Sequence, residues 1–300
     1  MKFMVVLFGT LIACPLCAGA QSPQVTVIPV YEGMGSYATA VAANPTADRQ
    51  ALWRENVIDP YWQRCTEGGA YLDYAPPVRT PYGDVERLRT AVAALRSSSI
   101  EASVRSAVER SQSLLPGPAT TVCILAADSS WTYLQDMHGV GGFTAGAGKI
   151  WLTILPVEGW NERITNAVAH EYHHSAWTKL HSQHDPILNM ADYLVFEGRA
   201  DSFARLIEPQ GQSPWTNALT PRQESEAWRT IQRHLESTDA QLLQGLMLGG
   251  AEGVRRWAGY TIGFHIVQAF LKGHPDLSAS QWTAIAAGEL LKQSSYEPGQ

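Results

Sequence analysis

Charge is sparse in this chain. Of its 300 residues 17% are Asp, Glu, Lys or Arg, and 28 acidic residues outnumber 22 basic ones, for a formal net charge of −6. A chain so balanced offers no basic surface for nucleic acid and little attraction to an anionic membrane. There are four cysteines, and two of them fall in the first twenty residues. No internal repeat and no compositionally biased tract is present, and no apolar run is long enough for a permanent membrane span. Such a length and composition suit one large globular domain or two modest ones.

The first residues, MKFMVVLFGTLIACPLCAGAQ, join a single basic residue, Lys2, to an apolar run and then to Ala18, Gly19 and Ala20. That is the pattern of a secretory leader cleaved after Ala20. Residues Leu11 to Cys14 also resemble a bacterial lipoprotein box, with Cys14 as the lipidated residue. Both readings take the mature chain out of the cytoplasm: to the periplasm, the exterior, or the envelope through a lipid on Cys14, the one membrane attachment expected. Cys65 and Cys123 remain after cleavage, and an oxidising compartment permits a disulfide between them without requiring one.

Along the chain, 25–30 and 121–127 read as short strands, and 85–115 as two helical pieces broken near Ser97. The segment before Cys65 has helical spacing interrupted by Pro60. The glycine-rich stretch 139–148 invites a phosphate-loop reading, which fails on spacing: Phe143 stands where the first glycine is required, and Ile150 where Ser or Thr is. It reads instead as a flexible hairpin leading into a strand, 150–155. Helices are expected over about 160–181, 187–208, 222–236, 255–271 and 280–293. Most of the ten tryptophans and eleven tyrosines are expected in the core.

The residues AVAHEYHH, Ala167 to His174, carry the chemistry. On a helix His170 and His174 lie about 40° apart, one turn from each other, as two imidazoles must to share one metal ion. Glu171 stands beside that face, where a carboxylate can accept a proton from activated water. His173 points elsewhere. The bland reading is a solvated polar face, and the motif alone does not exclude it.

A catalytic zinc needs a third protein ligand. A continuation by histidine requires His at 180 and Gly at 177, but those are Leu180 and Trp177, and His181 is one residue out of register. A continuation by glutamate is available in YLVFEGRADSFARL, where Glu197 shares a helix face with Asp201. Glu197 would complete the ligand set, and Asp201 would bond a ligand histidine and fix its tautomer. Gly198 and Ala200 would let the two helices approach closely.

HEYHH followed by EGRAD resembles the gluzincin zinc metallopeptidases. Taken with WRENVIDPYW, GGFTAGAGKIWLTILP and AGYTIGFHIVQAFL, it is similar to a bacterial family of unknown function described as predicted zinc-dependent proteases. The resemblance spans about 53–271. It implies an α+β, zincin-like fold, mostly helical, with a small mixed sheet beside the motif helix and the strand KIWLTI as the edge that holds an extended substrate. The leader 1–20 would precede a single metallopeptidase domain, 21–300, with its catalytic core at about 120–271. The resemblance further implies Zn2+ held by His170, His174 and Glu197, with Glu171 as general base. It also implies a tyrosine or histidine oxyanion donor, for which Tyr260 and His265 are the candidates, and a peptide or protein substrate. Two rivals stand beside the peptidase: a zinc hydrolase of another amide or ester, and an exported binding protein with a degenerate motif. No feature of the sequence marks an oligomeric state.

Overall fold

A buried four-stranded sheet anchors the architecture in a computed structural model of the chain, which describes residues 24–72, 78–128, 130–181, 187–211 and 213–298. The leader, Cys14 and His184 lie outside the described residues. The strands are β1 (Val25–Pro29), β2 (Thr120–Ala126), β3 (Val140–Gly146) and β4 (Lys149–Ile154), in the order β1-β2-β4-β3. β1, β2 and β4 run parallel, and β3 turns back antiparallel to β4 with a bulge between Thr144 and Gly146. β2 reads as an unbroken apolar run because both of its faces are covered: Val122, Cys123, Ile124, Leu125 and Ala126 are all buried.

The expected edge strand is therefore misplaced by one position. KIWLTI is β4, flanked on both sides, and its predecessor β3 forms the edge. A hairpin whose first strand lies outermost reverses the order that the chain suggests.

One face of the sheet carries α1 (Val30–Ala43), α3 (Asp59–Thr66) and α4 (Val85–Arg96); the other carries α5 (Ile100–Leu114) and the motif helix α7 (Ile164–Leu180). Two short helices, α2 (Arg49–Trp53) and α6 (Tyr133–Asp136), and a π-helical turn (Arg54–Ile58) fill the connections. Pro60 sits at the start of α3, where its missing N–H costs nothing, so the helical segment continues past it. Cys65 of α3 and Cys123 of β2 form a disulfide across 58 residues of chain. By loop-closure entropy such a link stabilises the fold by about 4 kcal/mol.

α7 is buried nearly all round, from Ile164 to Thr178. Against it packs α8 (Met190–Ile207), and against α8 packs α11 (Ala258–Gly273). α9 (Pro221–Ile231), α10 (Ala240–Leu248), α12 (Ala279–Ala284) and α13 (Ala287–Gln293) complete this helical layer; the expected final helix is two short ones. Among the described residues no helix is long and apolar enough to cross a membrane. Gly198 serves the crossing of α8 with α11 rather than with α7: a Cβ there would overlap the Gly263 carbonyl, and one at Gly263 the Leu194 carbonyl. The closeness of this crossing fixes the rotation of α8, and with it the direction of Glu197. Gly198→Ala should cost about 3 kcal/mol of unfolding free energy in urea titration, because a backbone carbonyl cannot yield as a side chain can; an unchanged midpoint would show that the crossing tolerates a methyl.

Candidate metal centre

His170 and His174 present their Nε2 atoms 3.0 Å apart from successive turns of α7. Glu197 reaches across from α8, its Oε2 3.3 Å from the first Nε2 and 3.5 Å from the second. All three residues are buried, and together they form a group that could hold a metal ion. Tetrahedral zinc with ligands at 2.0–2.1 Å spaces its donor atoms about 3.3 Å apart. The three separations lie around that value, so the donor set fits.

The electrostatics agree. Burial alone would push the Glu197 carboxyl up, but the His174 and His170 imidazoles outweigh it and hold it down at about 2. Burial would likewise lower His170, yet Asp201 and Glu197 raise it well above the ordinary value. Both shifts express the same demand for positive charge at the centre of the cluster.

Asp201 lies one turn beyond Glu197, fully buried, with Oδ1 3.0 Å from His170 Nδ1. A carboxylate accepts only, so His170 Nδ1 donates, and in the neutral ring it is therefore Nε2 that offers a lone pair to the cluster. Asp201 also accepts from Trp215 Nε1 at 2.8 Å and from Ser213 Oγ at 3.2 Å. Asn166 Oδ1 accepts from the Arg163 guanidinium at 3.0 Å and from Ser213 at 2.9 Å. Burial lowers the Arg163 pKa, and Asp201 works against that shift. His174 Nδ1 is buried with no hydrogen-bond partner among the described residues; its ring is held by stacking on Phe196, centroids 4.1 Å apart.

Glu171 is braced against β3. Thr144 Oγ1 lies 2.7 Å from its Oε2 and 2.8 Å from its backbone oxygen, and a Cβ at Gly142 would overlap its side chain. These groups line a cleft of about 580 Å³ whose walls are otherwise largely apolar and aromatic.

A family model described as predicted Zn-dependent protease (DUF2268) matches residues 100–292, which include every residue of this cluster. The chain belongs to that family. It is also 27% identical over 227 residues to the uncharacterised protein YjfC of Bacillus subtilis (strain 168), covering 70% of this chain and 75% of that one. No solved structure matches.

The remaining candidates of this DUF2268 member divide. Tyr260 lines the cleft and is hydrogen-bonded to Tyr193; burial, followed by the nearby carboxylates, raises its pKa well above the usual range, so it stays a hydroxyl donor. His265 is a correction. It does not line the cleft; its Nδ1 is 2.7 Å from Glu224 Oε1, which also accepts from Tyr296 at 2.7 Å, so it ties α11 to α9 and to the C-terminal segment. His173 turns away, its ring stacked on Trp282 and its Nε2 3.2 Å from Thr283 Oγ1, and burial lowers its pKa. His181 packs on Trp177 outside the donor cluster. Sequence reading missed Gly142, Thr144, Ser213 and Trp215, which supply contacts from a strand and an irregular segment that no helical periodicity announces, and it missed Tyr193, although its place on α8 four residues before Glu197 puts it on the same helix face. Trp257, the residue that precedes α11, has φ 65°, a strained value for tryptophan, while packing on Trp215 and Tyr260.

Asp201→Asn should weaken zinc binding about 10- to 100-fold in a chelator competition, because the amide no longer fixes the donor tautomer of His170. Unaltered affinity would disconnect Asp201 from the centre.

Proposed function

We propose that this chain is an exported zinc-dependent peptidase of the gluzincin type. The observation that carries the reading is the meeting of His170, His174 and Glu197 at tetrahedral donor spacing with Glu171 braced beside them. His170, His174 and Glu197 would hold the ion. Bound zinc supplies Lewis acidity, which acidifies water toward neutral pH and polarises a carbonyl oxygen.

The chain's own residues do the rest. Glu171 takes the proton from the attacking water and hands it to the departing amine nitrogen. The Thr144 hydroxyl, bonded to one carboxylate oxygen, keeps the other free for that transfer. Tyr260, protonated across the neutral range and paired with Tyr193, donates to the oxygen on which negative charge develops. Asp201 holds His170 in the tautomer that offers Nε2. The outer edge of β3 supplies backbone N–H and C=O groups to an extended peptide laid along the cleft. Export is supported by the leader pattern and by the joined Cys65 and Cys123, which belong in an oxidising compartment.

Glu171→Gln should keep stoichiometric zinc while peptide hydrolysis falls by about 10²- to 10⁴-fold, the range expected when a general base is removed. Undiminished cleavage by that variant would refute the role of Glu171.

A further inference from the structure

The β3 edge is open at its start and closed at its end. Val140, Gly142, Phe143 and Thr144 line the cleft, which continues past the beginning of the strand to Met137. At the other end the backbone of 68–71 lies against the strand. The Tyr71 N–H donates to Ala145 O at 3.0 Å. A Cβ on Gly69 would come within 3.1 Å of that same oxygen, and one on Gly146 within 2.8 Å of Ala70 N. This cover is firmly anchored. Gly69 N–H bonds Thr66 O at 2.8 Å, Cys65 is disulfide-linked to Cys123 in β2, and the Cys65 carbonyl accepts from Trp151 Nε1 at 3.0 Å. Residues 68–71 precede the part of the chain that the family model matches, so the cover is no part of that match.

We infer that this peptidase takes substrates with only about two residues before the scissile bond, and so trims peptides from their N-terminal end. The inference rests on the peptidase reading above. A peptide adds to a strand edge more stably antiparallel, which sets its N-terminal side toward Gly146 and its C-terminal side toward Val140. Glu171 marks the reacting position, since its carboxylate lies between Gly142 and Thr144. Pairing is one residue to one, so about two substrate residues fit between that position and Ala145, whose carbonyl Tyr71 already occupies. Longer N-terminal extensions meet the backbone of 69–71 and lose their pairing. On the C-terminal side the substrate can continue toward Met137. In each turnover the acyl carbon–nitrogen bond breaks, water gives its hydroxyl to the carbon and its hydrogen to the nitrogen, and a short N-terminal fragment leaves as the acid.

The test is a ladder of peptides that share one cleavable apolar core and carry N-terminal extensions of one to eight residues, given to the zinc-loaded full-length protein. Mass spectrometry reads the position of each cut. The expected result is N-terminal fragments of two or three residues, with kcat/KM at the core bond falling at least about tenfold once more than three residues precede it. Cleavage of that bond at equal rates whatever the extension would overturn the inference while leaving the peptidase reading intact. No cleavage of any peptide would overturn the peptidase reading, and this inference with it.

Discussion

Three buried lone-pair donors held within 3.5 Å of one another repel unless positive charge sits among them, and that constraint organises this molecule. Each donor is turned inward by contacts remote from it. Asp201 orients His170, Phe196 holds the ring of His174, and the close crossing at Gly198 and Gly263 sets the rotation of α8 that aims Glu197. A cation satisfies all three donors at once, whereas a proton on one imidazole pairs it with the Glu197 carboxylate alone.

The sheet contributes through its edge. Because β4 is enclosed between β2 and β3, the strand beside the motif helix is the glycine-rich one, and its missing side chains give Glu171 room to lie flat against it. The same strand end meets the turn that follows Cys65, so the disulfide layer on the far face of the sheet and the cleft on the near face are mechanically joined. The N-terminal part of the chain thus acts on the site without supplying any of the clustered donors.

Much of the centre could be read from residues alone because it obeys helical spacing. A separation of four places His170 and His174 on one face, and the same rule aligns Glu197 with Asp201. The helices over 160–181 and 187–208 were legible for the same reason, while the α+β class followed from the family resemblance. What escaped depends on long-range contacts. The order of strands in a sheet does not follow the order in the chain, so the edge was assigned to β4. The helix α1 was not anticipated at all, and its Gly33 permits a close approach to the carbonyl of Asn56 that only the assembled fold reveals. Ser213 and Trp215 reach Asp201 from an irregular segment, where no periodicity applies. His265 looked available beside Tyr260 in the same helix, but its ring is taken by Glu224.

The central claim is the identity of the three donors, and anomalous diffraction at the zinc edge from crystals of the purified protein tests it most directly. The account predicts a single strong peak about 2.0–2.2 Å from His170 Nε2, His174 Nε2 and the Glu197 carboxylate. A peak elsewhere in the chain, or none at this cluster in crystals grown with zinc, would contradict it.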